Sequence, residues 1–341
     1  MEYRTLGGTG TIVSSLCLGT MTFGNESTEE VSHDQLDRYL EQGGNFVDTA
    51  NVYSAGVSEE IIGRWLAKRP DARDRIVLAT KGRFPMGDGP NDVGLSRTNL
   101  TRALDASLKR LQTDTVDLYQ AHAWDALTPL EETLRFFDDA VRAGKIRYAG
   151  VSNFVGWQLQ KAAMLTDGLG LTPIVTLQPQ YNLLVREIEF ELTDVCLNEN
   201  IGILPWSPLA GGWLTGKYQR DQTPTGDSRL GDDPERGMEA YAPRNAQERT
   251  WQVIDAVGKI AQSRRVSMAQ VALAWTADRP AVTSVILGAR TVEQLDDNLA
   301  AAGLHLSEEE TGLLDTASEP IVGDYPYGPQ GRRQRAGGRE L

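Results

Sequence analysis

The sequence predicts an α/β protein of the (β/α)8 barrel, or TIM barrel, class, with an N-terminal β-hairpin, a long loop after the seventh strand, and an extra C-terminal helix and tail. Short apolar runs alternate with longer amphipathic stretches along most of the chain. The runs are apolar on consecutive positions, as parallel strands covered on both faces require. Strands and helices number eight each in strict alternation, which favours closure over a doubly wound sheet.

Residues 3–6, a Gly-rich turn at 7–10 and Ile12-Val13 read as the hairpin. The barrel strands are expected at 16–18, 46–48, 76–80, 116–121, 146–151, 174–178, 201–205 and 282–287. Four helix starts are legible. Ser27 to Glu30 reads as a capping box, and so do Thr291 to Gln294 and Ser307 to Glu310. Thr128-Pro129-Leu130-Glu131 places a Thr cap before a Pro at the first helical position. Gly43-Gly44 and Gly144 stand where helix C-termini favour a left-handed residue.

Two segments break the alternation. Residues 219–244, rich in Gly, Pro and Asp, have the length of a lid or a disordered loop. The end of the chain, with Tyr325, Tyr327, Arg332, Arg333, Arg335 and Arg339, reads as a solvated, irregular tail. The domain division is therefore one barrel over 1–318, including a further helix at 307–317, and a tail over 319–341.

Of the 341 residues, 40% are apolar, enough for a substantial core, and 34 Lys and Arg against 47 Asp and Glu leave a net charge of −13. That balance disfavours nucleic-acid backbones and anionic lipid surfaces, which attract a basic face. No apolar run approaches the roughly 18 residues of a membrane span, and the start lacks a signal-peptide apolar region. The expectation is a cytoplasmic protein. Cys17 and Cys196 lie far apart inside apolar segments and read as buried thiols. Three dispersed histidines, His33, His122 and His305, supply no metal-ligand cluster, so no metal is expected.

In a barrel of this kind the chemistry sits at the C-terminal ends of the strands. The second strand is followed by Asp48 and Tyr53, the third ends at Lys81, and the fourth ends at His122. A phenol is a poor acid at neutral pH. A neighbouring ammonium stabilises phenolate and lowers the phenol pKa, and an aspartate keeps that ammonium charged. An imidazole can orient a carbonyl by hydrogen bonding. The four residues together suit proton donation during carbonyl reduction.

These stretches resemble the aldo-keto reductases. The matching segments are Asn45-Phe46-Val47-Asp48-Thr49-Ala50 with Tyr53, Ala79-Thr80-Lys81, Asp117-Leu118-Tyr119-Gln120-Ala121-His122, Gly150-Val151-Ser152-Asn153-Phe154, Gln178-Pro179-Gln180-Tyr181-Asn182, Pro205-Trp206-Ser207-Pro208-Leu209 and Leu287-Gly288-Ala289-Arg290. They occur in family order, and the chain is most similar to the aryl-alcohol-dehydrogenase-like and potassium-channel β-subunit-like branches. The resemblance implies a catalytic tetrad of Asp48, Tyr53, Lys81 and His122, with Tyr53 as general acid in reduction.

It also implies NADPH bound without a Rossmann domain. The glycines near Gly8 and Gly10 accordingly lack the third glycine and the helix of a dinucleotide fingerprint. By resemblance, Ser152, Asn153 and Gln178 hold the nicotinamide carboxamide, Trp206 stacks on the ring, and Thr20, Met21 and Asp48 lie beside its ribose. Ser207, Pro208, Leu209, Gly211 and Lys217 surround the pyrophosphate, with residues 219–244 folding over it. Gly288, Arg290, Gln294, Asp297 and Asn298 form the adenosine end, with Arg290 on the 2′-phosphate. Met21, Phe23, Tyr53, Phe84, His122 and Trp124 are expected to line a substrate pocket for aromatic or other apolar aldehydes and some ketones.

Other barrel chemistries fit less well. A glycoside hydrolase needs two carboxylates across the cleaved bond, and only Asp48 stands at a strand mouth. The Tyr-x-x-x-Lys pair of short-chain dehydrogenases is missing at every tyrosine. The alternative from a different class is an NADPH-binding regulatory β-subunit-like protein with little turnover. The expected partner is a small carbonyl compound, with self-association into a homo-oligomer as a further expectation.

Overall fold

The computed structural model describes residues 1–226 and 228–337. Strands β1 (Tyr3–Thr5) and β2 (Ile12–Ser14) pair antiparallel as the N-terminal hairpin. Eight further strands form one parallel sheet: β3 (Leu16–Gly19), β4 (Phe46–Asp48), β5 (Val77–Gly82), β6 (Val116–Ala121), β7 (Ile146–Ser152), β8 (Ile174–Gln178), β9 (Gly202–Ile203) and β10 (Val285–Leu287). Their order is β10-β3-β4-β5-β6-β7-β8-β9, each strand beside the next in sequence. The sheet's two edges then meet. Ile203 bridges Val282 in parallel, Ile203 N–H donates to Ala281 O at 2.8 Å, and Ile286 N–H donates to Pro205 O at 2.9 Å. A closed ring has no open edge to protect. All eight predicted strands are present, the seventh shortened to two residues because its pairing passes to these isolated bonds.

Because helices cover the outside and side chains fill the inside, these strands are buried almost throughout. Cys17, Phe46, Ala79, Leu118, Val175, Leu204 and Ile286 pack the interior, and Leu6 and Val13 of the hairpin close it at one end. The hairpin can sit that close because residue 7 is glycine. A Cβ there would lie 2.2 Å from Val175 O, on a backbone with φ +55°. The helical ring packs outside on residues such as Trp65, Leu100, Leu134 and Phe137. Both cysteines are buried and unpaired.

The helix starts were read with mixed success. Ser307 and Glu310 form the reciprocal box expected of them, and Thr291 Oγ1 accepts from Gln294 N–H. The first helix, however, runs Glu29–Glu41 with Thr28 as its cap, because the Ser27 hydroxyl donates instead to Arg290 O at 3.0 Å. Pro129, not Thr128, occupies the cap position of the helix Leu130–Arg142, and Thr128 Oγ1 donates to Asp125 Oδ2 at 2.6 Å. Gly43 and Gly144 adopt positive φ, whereas Gly44 does not. There, Tyr39 ring carbon lies 2.2 Å from where a Cβ would be.

Segment 219–244 carries local structure: a short helix Arg229–Asp232, a 3-10 turn Gly237–Glu239 and the start of the helix Tyr241–Asn245. Tyr241 stacks on Trp213 at 5.4 Å, and Trp213 meets Tyr218 and Trp251 edge-on, which anchors both ends of the segment. The tail, expected to be irregular and solvated, includes a helix Pro329–Arg335, and Tyr327 stacks on Phe190 at 4.9 Å. Arg339 lies outside the described residues. Among the described residues no helix is long and apolar enough to cross a membrane.

Candidate active site

Asp48 ends β4, Lys81 lies one residue before the end of β5, and His122 follows β6 directly. Tyr53 needs a turn to join them. Ser54 and Ala55 take left-handed backbones (φ 49° and 53°), followed by Gly56 at φ 100°, and Ser54 Oγ donates to Phe23 O at 2.9 Å. Two consecutive non-glycine residues in that region are a costly conformation, sustained here beside the phenol. Lys81 Nζ then sits between three acceptors: Asp48 Oδ1 at 2.5 Å, Thr49 O at 2.7 Å and Tyr53 Oη at 3.2 Å. The His122 ring meets the Tyr53 ring edge-on at 5.8 Å.

Burial alone would push the Lys81 ammonium down, but the Asp48 charge and the Tyr53 oxygen outweigh it and hold it above its ordinary value. The Tyr53 phenol is also held above its ordinary value, the reverse of the direction expected from the sequence. Burial raises it and Asp48 adds to that, whereas Lys81 pulls it down without winning. Desolvation, helped by the charges of Lys81 and Arg83, pushes His122 down to about 2, so the ring is neutral at working pH. The second Asp48 oxygen, Oδ2, accepts from two buried amides: Gln178 Nε2 at 3.0 Å and Gln120 Nε2 at 3.2 Å.

A cavity of about 690 Å³ leads away from this cluster. Thr20, Met21, Ser152, Asn153, Gln178 and Trp206 line the end beside Tyr53 and His122. Asn153 Oδ1 accepts from the Trp206 indole at 3.1 Å, while its Nδ2 donates to the backbone carbonyl of His122 at 3.0 Å, so the aromatic wall is tied to the backbone at the end of β6. Ser207, Pro208, Leu209, Gly211 and Lys217 line the middle. Ser207, Ala210, Gly211 and Gly212 all have positive φ, and burial with the nearby Arg290 charge lowers the Lys217 ammonium. Gly288, Arg290, Gln294, Asp297 and Asn298 line the far end. Every residue expected around the cofactor therefore borders one cavity.

The far part also holds residues the sequence reading missed. Glu26 Oε1 pairs with Arg236 at 2.6 Å and Oε2 with Arg290 at 2.9 Å, joining segment 219–244 to the end of the eighth strand. Burial favours the neutral acid, but the two guanidinium groups prevail and hold the Glu26 carboxyl below its ordinary value. Arg229 also lines the cavity, and its Nε is buried with no hydrogen-bond partner among the described residues. A dinucleotide fits this lining: cations Lys217, Arg229, Arg236 and Arg290 face the middle and far end, and neutral amides face the Tyr53 end. The four arginines within 219–244 were the available signal that this segment brings positive charge to the cavity.

Of the six residues expected along the substrate wall, Met21, Tyr53 and His122 border the cavity, whereas Phe23, Phe84 and Trp124 do not. Phe23 is fully buried in the outer core, outside the cavity lining, and its N–H closes a turn onto Thr20 O at 3.1 Å. Phe84 packs edge-on against His122 at 4.7 Å. Trp124 packs on Phe154 at 5.2 Å and on the exposed Trp157 at 5.3 Å, outside the lining of the cavity itself. Met21 lines it and is exposed.

The model of the Aldo/keto reductase family matches residues 15–319. The chain is 40% identical to an uncharacterized oxidoreductase, YrpG, of Bacillus subtilis, over 96% of this chain and 98% of that one. It is 38% identical to a probable voltage-gated potassium channel subunit beta of Arabidopsis thaliana (98% and 100% covered). It is 34% identical to the versiconal hemiacetal acetate reductase of Aspergillus parasiticus (94% and 97%). A family whose members reduce small carbonyl compounds with a nicotinamide dinucleotide thus accounts for the barrel, the Asp-Lys-Tyr contact and the long cavity, and the chain belongs to the aldo/keto reductase family.

Proposed function

We propose that the protein is an NADPH-dependent reductase that converts aldehydes, and some ketones, to alcohols. The observation that carries this reading is the Lys81 ammonium held between Asp48 and the Tyr53 hydroxyl. The bound nicotinamide supplies the hydride. Tyr53 hydrogen-bonds the carbonyl oxygen and gives it a proton as negative charge develops there. Its phenol keeps that proton at neutral pH, because burial holds it above its ordinary value. Lys81 stabilises the phenolate left behind, and Asp48 keeps Lys81 charged and aimed. Neutral His122 offers one ring N–H to the same oxygen and sets its direction.

Ser152, Asn153 and Gln178 would hold the carboxamide, Trp206 the face of the ring, and Lys217 with Arg229 the pyrophosphate. Arg290 would take the 2′-phosphate, the basis for naming NADPH rather than NADH. Met21 and Trp206, which border the cavity beside Tyr53 and His122, favour an apolar or aromatic carbonyl compound.

NADPH oxidation followed with a panel of aldehydes tests the reading. Tyr53→Phe should lower kcat by at least about a hundredfold, in the range of general acid catalysis, while leaving NADPH binding intact. An unchanged rate would remove Tyr53 as the proton donor. The similarity to proteins named channel β subunits supports a second reading, an NADPH-binding regulatory partner. Tight NADPH binding with no turnover on any aldehyde would favour it.

A further inference from the structure

The strand register sets four residues in one row: Lys81 of β5 lies opposite Gln120 of β6, Gln120 opposite Gly150 of β7, and Gly150 opposite Thr176 of β8. Residues paired this way on neighbouring strands face the same side of the sheet. Lys81 faces the barrel interior, and Gln120 therefore does too. Gly150 makes the room. A Cβ there would lie 3.0 Å from Gln120 Cγ and 2.3 Å from Thr176 Oγ1.

The Gln120 amide is wholly buried, and its Oε1 finds no partner among the described residues. A buried amide with an orphaned oxygen carries a free-energy cost that an apolar side chain of the same size would avoid. Among the described residues its other end makes one hydrogen bond, the 3.2 Å bond from Nε2 to Asp48 Oδ2. Lys81 uses Oδ1 of the same carboxylate.

We propose that Gln120 is a positioning residue for proton transfer: it holds Asp48 Oδ2 so that Oδ1 stays on Lys81 and Lys81 stays on Tyr53. The inference rests on the proposed function and adds a division of labour to it. Gln178 also donates to Oδ2, but it borders the cavity and is the amide drawn to the nicotinamide carboxamide. Gln120 does not border the cavity, so it is the donor that remains on Asp48 when the cofactor is bound. Its N–H dipole offsets part of the carboxylate charge acting on Tyr53. The ionisable groups around that phenol are Lys81, Asp48, Cys17 and His122, and only the first two change their influence when the amide is lost.

The test uses the full chain with Gln120→Met, which keeps the volume and removes the donor. We expect kcat with NADPH and 4-nitrobenzaldehyde to fall about tenfold, the scale of one hydrogen bond to a charged group. Aldehyde KM and the NADPH Kd measured by protein fluorescence should stay within about twofold. The alkaline limb of kcat should move to higher pH. In the cofactor-free protein, the Tyr53 resonance of ring-labelled tyrosine, assigned with Tyr53→Phe, should titrate higher by the same shift. Gln178→Met should instead raise the NADPH Kd. If the methionine variant does not fold, Gln120→Asn keeps a buried amide but draws it back from Asp48 Oδ2, and should shift the titration in the same direction. An unchanged kcat and Tyr53 titration would overturn the proposal, and so would a loss confined to KM or Kd. A wild-type protein that turns over no aldehyde, but whose Tyr53 titration still responds to Gln120→Met, would overturn the proposed function and leave this assignment standing.

Discussion

His122 illustrates how strongly burial acts on a single residue. Desolvation and the nearby Lys81 and Arg83 charges push its imidazole down to about 2, far below the free side chain. The pH profile of reduction should therefore show no imidazole limb between pH 5 and 8, and an inflection near 6.5 that disappears in His122→Asn would contradict this. The sign for stability follows. A depressed folded pKa means the unfolded chain takes up the proton first, so this contribution is complete above the ordinary imidazole pKa and is lost as pH falls below it. Arg290 gives a second prediction at this scale. Arg290→Ala should weaken NADPH binding about ten- to a hundredfold, as loss of a charge-assisted contact implies, and leave NADH within about twofold. Equal losses in a fluorescence titration would remove Arg290 from the 2′-phosphate. The residue identities at the strand ends were readable because each follows an apolar run. The direction of the Tyr53 shift was not, because it depends on how completely the phenol is buried.

At the scale of the element, a helix cap read from the sequence held where the capping side chain had no competing partner. Ser307 and Glu310 satisfy each other's backbone, and Arg264 pairs with Glu310 from outside. Ser307→Ala should cost about 1 kcal/mol in urea denaturation, the usual value of such a cap, and an unchanged midpoint would show the helix to be held by packing alone. Ser27 failed as a cap for a tertiary reason: its hydroxyl is taken by a carbonyl of Arg290, 263 positions away. Thr128 failed for a local one, a carboxylate three residues back. The inward face of β6 is a further case. Strand alternation puts Leu118 and Gln120 on the same side, yet nothing along the chain says that the amide meets Asp48.

Across the whole molecule, Glu26 couples the segment over the cavity to its floor by pairing with Arg236 and Arg290 at once. Glu26→Gln should speed cofactor release several-fold in stopped-flow fluorescence, for NADH as well as NADPH, because the clasp on the segment is weakened. It should also widen the preference for NADPH, since removing a carboxylate leaves the guanidinium groups more positive toward a phosphate. Release at the wild-type rate would mean that the segment is held by its aromatic anchor around Trp213 instead. The sequence by itself determined the barrel, the order of its elements, the four residues at the strand mouths and about half of the cavity lining. Those features are written in local periodicity and in short segments, which do not depend on what lies across the fold. Only the tertiary structure decided the burial of Phe23 in the outer core, the two amides on Asp48, the raised phenol of Tyr53 and the Glu26 clasp. Each of these is a contact or a loss of water between residues distant in sequence, and its strength is set by distance and dielectric surroundings that exist only once the chain has closed on itself.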